Sequence, residues 1–229
     1  MEYVKRHTTI PLPDLQKTYK GGRWTYIEMS LVPGRPADIV WKYLSGDQRA
    51  HILEQLKGYI RQLRALVPPS PSVASANGGP IFDYRLASNR ICGPFPTVDD
   101  FHYFLRGTNS PIETWADDDF CRSAYISHIE PYHVVKFTHG DLLPRNIMIH
   151  KGSISAIIDW DSAGWRPEYW EVTKARYSGH TAPEIWLNAI EEAAGGRWTK
   201  QLLGERFLYD VCPSPAYEQI PILPTPTPT

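Results

Sequence analysis

The sequence predicts an α+β fold that is mostly helical and contains two β-hairpins. Several stretches place apolar residues at the spacing of amphipathic helices, and two pairs of stretches rich in β-branched and aromatic residues flank glycine turns. Proline and glycine residues separate these stretches from one another. Hydrophobic residues make up 42% of the 229, which is enough to bury the core of one large domain.

Two segments are predicted to be β-hairpins. In the first, “LQKTYK” and “WTYIEMSL” are the strands and Gly21-Gly22 is the turn. In the second, “NIMIH” and “SISAIIDW” flank a turn at Lys151-Gly152. Both turns contain glycine, which reaches the positive φ angles that tight hairpins need.

The longest predicted helix covers “DQRAHILEQLKGYIRQLRAL”, and Pro68-Pro69 stops it. Gly58 lies inside it and costs about 1 kcal/mol relative to alanine, so we expect a close packing contact there. Residues 70–97 form a long connection rich in glycine, proline and serine, which is typical of a functional or mobile loop. Other helices are predicted in “MEYVKRHTT”, “ADIVWKYLS”, “TVDDFHYFLRG”, “DDDFCRSAYISHIEPY”, “EYWEVTKARY”, “PEIWLNAIEEAAGG” and “QLLGERFLYDV”.

Charge and cysteine content exclude several classes of protein. The net charge of −1 favours neither nucleic acid nor an anionic membrane as a partner. Cys92, Cys121 and Cys212 are odd in number and lack C-x-x-C spacing, which argues against a disulfide framework and a zinc site. Neither a signal peptide nor an apolar run of membrane-spanning length is recognisable. We therefore expect a soluble protein in a cytoplasmic, reducing setting.

One constellation of residues carries recognisable chemistry. “FTHGDLLPRNIMIH” holds His139, Asp141 and Asn146, and “AIIDWD” supplies Asp159. Phosphoryl transfer needs one carboxylate to receive or orient a hydroxyl proton, and a second carboxylate with an amide oxygen to hold Mg²⁺. The spacing from Asp141 to Asn146 is that of the catalytic loop H-R-D-x-x-x-x-N. The second hairpin is expected to return Asp159 to the side of Asn146.

These motifs resemble those of the aminoglycoside phosphotransferase and choline kinase-like family. Members share the protein-kinase-like fold but carry H-G-D for H-R-D and I-D-W-[DE] for D-F-G, as in “FTHGDLLPRNIMI” and “AIIDWDSAGWRPEYWE”. “VKRHTTIPLP” resembles the end of the family's C helix and the entry to the next strand, and “YIEMSLVPG” resembles its adenine-binding hinge. “GPFPTVDDFHYFL” resembles a segment common in fungal members.

The resemblance implies roles for particular residues. Asp141 would be the catalytic base, supported by His139, whose own role would be to order the loop backbone. Asn146 and Asp159 would bind Mg²⁺, and ATP would donate the phosphoryl group to a small-molecule hydroxyl. The adenine base would meet the backbone at Glu28, Met29, Ser30 and Leu31.

The same resemblance divides the chain into three parts. Residues 1–33 would be a remnant of the N-terminal lobe with its hinge, and residues 34–212 the helical C-terminal lobe with the catalytic hairpin. Residues 213–229 would be a disordered Pro/Thr-rich tail. The family's Gly-rich loop and strand lysine have no match, so we expect the nucleotide-binding lobe to be largely missing. A second copy or a partner is then expected to cover the exposed hairpin face.

Three functions stay open at this point. The chain is expected to be an ATP-dependent phosphotransferase acting on a small molecule. The alternatives are a truncated, catalytically silent kinase-like binding protein and a non-kinase biosynthetic enzyme that reuses the same cleft. The family's acceptors include sugars, aminoalcohols and antibiotics, and the fold does not choose among them.

Residues near the motifs receive simpler interpretations. Asp161 is expected to face solvent rather than to extend the metal shell. Arg85 and Arg90 are expected to form surface salt links rather than to contact a substrate. Trp160, Trp165, Tyr169 and Trp170 are expected to be mostly core residues beneath the metal loop.

Overall fold

A computed structural model describes residues 1–22, 24–86, 91–106, 126–128, 133–177 and 182–210 of the chain. The helices in these ranges are α1 (Glu2–His7), α2 (Ala37–Val40), α3 (Gly46–Ala65), α4 (Val98–Arg106), α5 (Trp170–Tyr177), α6 (Glu184–Ala194) and α7 (Thr199–Asp210). The strands are β1 (Leu15–Gly21), β2 (Trp24–Met29), β3 (Arg35–Pro36), β4 (Ala74–Ser75), β5 (Val135–Thr138), β6 (Ile147–His150), β7 (Ser153–Ile157) and β8 (Gly164–Pro167).

The strands form three small antiparallel sheets, in the orders β1-β2, β3-β6-β7 and β4-β8-β5. Helix α3 packs against the second sheet through β7 and against the third through β5, and these two sheets together carry the loops of the candidate site. This arrangement confirms the predicted α+β class with two β-hairpins.

Helix α3 is the central helix of the fold. Ser45 caps it: its hydroxyl accepts the Gln48 N–H at 3.2 Å, and the Gln48 side chain accepts the Ser45 N–H at 2.9 Å. One apolar stripe is buried against α6, β5 and β7, and it consists of Ile52, Leu53, Leu56, Ile60 and Leu63. The expectation for Gly58 is wrong, because a Cβ built at that residue meets no atom within 4 Å.

The N-terminal hairpin stands apart from the buried core. β1 and β2 pair in register around Tyr19 and Tyr26, whose rings stack at 5.2 Å, and Gly22 in the turn has φ 62°. Every residue of both strands is exposed, including the large apolar side chains of Trp24 and Ile27. That a second copy or a partner covers this face stays a prediction.

The second hairpin connects the two motifs of the sequence. β6 and β7 pair from Ile147 and Ile157 to the turn, where Lys151 (φ 50°) and Gly152 (φ 79°) both take positive φ angles. Two positive φ angles are those of the turn that matches the natural twist of a hairpin. β3 adds to the other edge of β6, so the segment after the first hairpin is joined by backbone hydrogen bonds to the second hairpin.

The long connection between α3 and α4 is packed against the third sheet. β4 pairs with β8, and backbone bridges join Val73 to Phe95 and Ile81 to Cys92. The segment therefore folds back on itself, and its two halves lie antiparallel and are joined by these two bridges. Residues 87–90 within it lie outside the described ranges, as does most of the helix predicted in “DDDFCRSAYISHIEPY”.

The core agrees with the sequence in its aromatic content. Trp160, Trp165, Tyr169 and Trp170 are all buried, as predicted, and Trp186 joins them from α6. None of the helices in the described ranges combines the length and apolar character that a membrane span requires. The predicted tail at 213–229 lies outside the described residues, and the three-part division of the chain stays a prediction.

Candidate functional site

The catalytic loop runs from the end of β5 to the start of β6 and is held from beneath by one carboxylate. Glu171 on α5 accepts the backbone N–H of His139 at 2.7 Å and of Gly140 at 3.0 Å. Gly140 has φ 82°, and a Cβ there would lie 3.0 Å from the carbonyl oxygen of Ser162. A side chain at this residue would therefore be strained and crowded.

Glu171 is an essential part of this geometry that the sequence interpretation missed. Its side chain is buried, and burial raises its pKa to about 7, although the His139 and Gly140 N–H groups and the charge of Arg64 act in the opposite direction. The available signal was its place in “EYWE”, shortly after the second motif. That segment was recognised without a role for the glutamate.

His139 is bonded on both ring nitrogens. Nδ1 accepts the Asp141 N–H at 3.1 Å, which places the ring proton on Nε2, 3.0 Å from the Ile158 carbonyl oxygen. The ring packs edge-on against Trp160 at 4.4 Å. Burial lowers the pKa of His139 to about 4, which favours the neutral ring. These contacts suit a residue that orders the loop, the role that the resemblance implies.

Asp141 is held by one of its two carboxylate oxygens. Oδ2 accepts a hydrogen bond from Arg145 Nη2 at 2.8 Å and another from Asn146 Nδ2 at 2.7 Å. Within the described residues, Oδ1 accepts none, and the side chain is only 4% exposed. The carboxylate is therefore oriented by one oxygen while the other is free for a proton.

Asn146 and Asp159 lie side by side at the base of the second hairpin. The Ile158 N–H donates to the Asn146 carbonyl oxygen at 2.9 Å, so Asp159 follows directly after the residue paired with Asn146. The backbone of Asp159 takes the left-handed conformation, with φ 65°. Such an angle is uncommon for a residue other than glycine and occurs most often at functional sites.

The donor atoms at this position suit Mg²⁺. The Asn146 amide nitrogen donates to Asp141 Oδ2 and, at 2.9 Å, to the Asp141 carbonyl oxygen. The amide oxygen has no hydrogen-bond partner among the described residues and could face a cation. Burial raises the pKa of Asp159, and the charges of Asp161 and Asp141 raise it further. A bound cation would relieve that crowding of carboxylates.

No group of three or more histidine, cysteine or acidic side chains forms a metal cage in the described part of the chain. Mg²⁺ at a phosphate site does not need such a cage. It is usually held by one or two carboxylates together with substrate phosphates and water.

A cleft of about 710 Å³ opens between the first hairpin and the second motif. This volume is in the usual range for small-molecule sites. Its described lining combines α1, both strands of the first hairpin and the motif itself, and includes Met1, Tyr3, Arg6, Leu15, Ile27, Met29, Asn77, Asp159, Trp160 and Asp161. The cleft thus joins an apolar wall to Asp159, one of the two candidate metal ligands, and to Asp161, whereas Asp141 and Asn146 are not among its described lining residues.

The four residues predicted to meet adenine do not all reach this cleft. Met29 lines it, whereas Glu28, Ser30 and Leu31 are not among the described lining residues. The Ser30 N–H already donates to the Asp14 carbonyl oxygen at 2.9 Å, and Leu31 is 98% exposed. The adenine contact of this segment stays a prediction, with Met29 the residue best placed for it.

The long connection brings an unexpected tyrosine to the acidic side of the site. Tyr84 donates its hydroxyl to Asp161 Oδ2 at 2.7 Å, and this bond helps to raise the Tyr84 pKa to about 12. Asp161 is exposed, as expected, but is also a hydrogen-bond acceptor for this loop. No feature of the sequence interpretation had connected the two residues.

The residues on either side of Tyr84 anchor it. Asp83 accepts hydrogen bonds from Lys174 Nζ and, at 2.9 Å, from Trp170 Nε1. The Arg85 guanidinium lies 3.7 Å from the centre of the Trp170 ring. The expectation that Arg85 forms a surface salt link is wrong, because the long connection folds inward here and buries the side chain.

Comparisons with solved structures show the same fold. A thermostable mutant of the aminoglycoside phosphotransferase APH(4)-Ia matches with a TM-score of 0.60 and 17% identity, covering 91% of this chain and 75% of that one. The same protein in a ternary complex with ADP and hygromycin B matches with a TM-score of 0.60 and 17% identity, over 91% of this chain and 74% of that one. An aminoglycoside-3'-phosphotransferase of type VIII matches with a TM-score of 0.53 and 19% identity, over 90% and 76%.

Sequence comparisons are more decisive about the family. No curated protein matches the chain significantly. The family model described as “Phosphotransferase enzyme family” matches residues 9–205, which is most of the chain and includes both motifs. This match agrees with the kinase-like fold of the structural neighbours. The chain belongs to the phosphotransferase enzyme family.

Proposed function

We propose that this protein transfers the terminal phosphoryl group of ATP to a hydroxyl of a small molecule, with Asp141 as the base. The observation that carries the proposal is the state of the Asp141 carboxylate. Arg145 and Asn146 donate to Oδ2, and Oδ1 accepts no hydrogen bond from the described residues. A base for a bound hydroxyl needs this combination of fixed orientation and one open oxygen.

The other residues of the site would prepare this carboxylate. His139 accepts the Asp141 N–H, and Glu171 accepts the N–H groups of His139 and Gly140. These three hydrogen bonds fix the backbone of the loop. Preorganised groups lower the barrier because little rearrangement is needed as charge develops. An acceptor hydroxyl next to Oδ1 would give its proton to Asp141 as its oxygen attacks phosphorus.

The amide oxygen of Asn146 and the carboxylate of Asp159 would hold Mg²⁺ on the nucleotide phosphates. When bound, that ion would neutralise phosphate charge and align the phosphoryl group. The apolar wall around Met29 and Ile27 would take the adenine base at the other end of the cleft. Solved structures of APH(4)-Ia with ADP or AMP-PNP and hygromycin B support a nucleotide and a small-molecule acceptor in this fold.

Calorimetric titration with ATP, with and without Mg²⁺, tests the proposal. We expect binding that depends on Mg²⁺ and is weakened at least tenfold in Asp159→Ala. Asp47→Ala is the matched control, because Asp47 is an exposed carboxylate in the first turn of α3. Its affinity should equal that of the wild type.

A second step separates the functions that stayed open. Incubation with γ-labelled ATP and a panel of hydroxyl compounds should give labelled product, and Asp141→Asn should abolish it. Nucleotide binding without transfer to any acceptor or to water would support the catalytically silent binding protein. Absence of nucleotide binding would contradict the proposal and favour other chemistry in the cleft.

A further inference from the structure

Among the described residues, Arg145 is the positively charged side chain that contacts the candidate base. It lies in the 3-10 turn Pro144–Asn146, directly before the candidate metal ligand. Its guanidinium pairs with Asp141 across 2.8 Å, and the two side chains differ sharply in exposure, 51% for Arg145 and 4% for Asp141. The carboxylate is thus buried in the loop while the guanidinium stands at its surface.

Arg145 has donors to spare. A guanidinium carries five N–H groups, and the described contacts use one of its nitrogens, Nη2, on Asp141. Its charge also acts on Asp159, whose pKa it lowers against the effect of the neighbouring carboxylates. The guanidinium therefore lies within electrostatic reach of both carboxylates that flank the proposed transfer site.

Three other described cations near this loop already have hydrogen-bond or ion-pair partners. Lys174 is buried and paired with Asp83. Arg64 donates to a backbone carbonyl at 2.9 Å, and the fully buried Arg166 donates to three carbonyls. Among the described cations bonded to the catalytic loop, Arg145 combines exposure with unused donors. Arg6 also lines the cleft, but its described partner is Glu2 on α1, at 3.5 Å, and not a residue of the loop.

A phosphoryl group entering this site would meet the charges of Asp141, Asp159 and Asp161. Catalysis of phosphoryl transfer depends on offsetting such negative charge with fixed cations and N–H donors. A guanidinium matches the paired oxygens of a phosphoryl group, because its planar fork can donate two hydrogen bonds at once.

We propose that Arg145 is a catalytic residue that donates hydrogen bonds to the transferring phosphoryl group. This inference rests on the proposed function. In the transfer step, the acceptor oxygen forms a bond to the γ-phosphorus, and the bond from that phosphorus to the bridging oxygen breaks. The bridging oxygen leaves with ADP and takes the electron pair, and the hydroxyl proton goes to Asp141 Oδ1. Arg145 keeps its protons throughout and contacts the non-bridging oxygens.

The test is equilibrium binding of ADP with Mg²⁺, alone and with aluminium fluoride, which mimics the transferring phosphoryl group. For Arg145→Met we expect the affinity for ADP alone to stay within about threefold and the affinity for the fluoride complex to fall about 100-fold. Arg145→Lys should recover part of the loss. The control is Arg61→Met on α3, because Arg61 is 54% exposed and also pairs with a carboxylate, Glu192.

The same measurement in an Asp141→Asn background separates direct contact from positioning. If Arg145 contacts the phosphoryl mimic, adding Arg145→Met should still weaken the fluoride complex. If Arg145 acts only by holding Asp141, the added loss should vanish, and the proposal is overturned.

Two further outcomes distinguish failure of the role proposed for Arg145 from failure of the proposed function. Equal binding of the fluoride complex by Arg145→Met and Arg61→Met would reject the role of Arg145 while leaving the proposed function intact. A wild-type protein that binds neither ADP nor ATP with Mg²⁺ would reject the proposed function and this role together.

Discussion

The buried carboxylate of Glu171 holds the backbone of His139, with a distance of 2.7 Å between Oε2 and the amide nitrogen. The two residues are far apart in sequence, and the contact joins α5 to the loop that carries the candidate base. A second bond from the Gly140 N–H, at 3.0 Å, uses the other oxygen of the same carboxylate. The position of Asp141 therefore depends on a side chain that is not among the described lining residues of the cleft.

Replacing Glu171 with glutamine should separate positioning from nucleotide binding. Glutamine has one acceptor oxygen, so its NH₂ group would face one of the two backbone N–H donors. We expect Glu171→Gln to lower the rate of phosphoryl transfer at least tenfold, because small displacements of a catalytic group are costly. The affinity for Mg²⁺–ATP should stay within about threefold.

Steady-state rates and calorimetry on the same preparations check this prediction. Glu54→Gln is the control, because Glu54 is an exposed glutamate on α3. An unchanged rate in Glu171→Gln would show that the backbone bonds do not set the position of the base.

The pKa of Glu171 predicts an acid limb in the activity profile. Burial raises that pKa to about 7 from 4.5, so the carboxylate gains a proton as pH falls through 7 and loses acceptor capacity for the loop. We expect the transfer rate to fall below about pH 7, and the limb to be absent in Glu171→Gln. A rate measured from pH 5.5 to 8.5 tests this, and an identical limb in the variant would contradict it.

Stability should depend on the charge of Glu171 in the opposite direction from activity: activity is lost as pH falls, whereas the contribution to stability is lost as pH rises. Its folded-state pKa is raised, so its contribution to the free energy of unfolding is fully present below pH 4.5 and is lost as pH rises through 7. The free energies of unfolding of the wild type and Glu171→Gln, measured with urea, should therefore be similar at acid pH. They should differ above neutrality, where the buried carboxylate of the wild type is charged. This distinguishes loss of activity from loss of the fold.

His139 predicts acid sensitivity of the fold. Its pKa is lowered from 6.5 to about 4, so its contribution to stability is complete above pH 6.5 and is lost as pH falls toward 4. At pH 5 the loss from this residue is about 2 kcal/mol. Urea unfolding at pH 7.5 and pH 5 should show a smaller difference for His139→Gln than for the wild type.

The control for that comparison is His51→Gln, since His51 is exposed on the surface of α3. It should keep the wild-type difference between the two pH values. A His139→Gln protein with the full wild-type acid sensitivity would mean that other groups account for it.

Gly58 predicts a stabilising substitution. It lies inside α3, and a Cβ would meet no atom within 4 Å, so Gly58→Ala should raise the free energy of unfolding by about 0.5–1 kcal/mol. Gly140→Ala should have the opposite effect, because φ there is 82° and the Ser162 carbonyl is close. Thermal unfolding measures both, and a destabilised Gly58→Ala would show that the helix surface is covered in solution.

Local patterns were enough for the elements and motifs that depend on neighbouring residues. The turn at Lys151-Gly152, the apolar stripe of α3, and the pairing that returns Asp159 to Asn146 follow from spacing along a few residues. The first hairpin was predicted as well, but its turn begins one residue later than expected, because Gly21 still belongs to β1 and pairs with Trp24. Helical and strand periodicity and turn chemistry act over such distances. The aromatic content of the core was recognisable for the same reason, since burial follows from side-chain size and polarity.

Contacts between distant segments could not be obtained in this way. Glu171 beneath the catalytic loop, Tyr84 on Asp161, and the inward turn of Arg85 each depend on how α5 and the long connection pack against the third sheet. Gly58 was misjudged for a related reason, because only the packed neighbours of a helix face show whether a glycine is needed. The sequence by itself determines the chemistry of each side chain. Its partners are determined by the tertiary structure, because burial and hydrogen bonding act between residues that no local pattern connects.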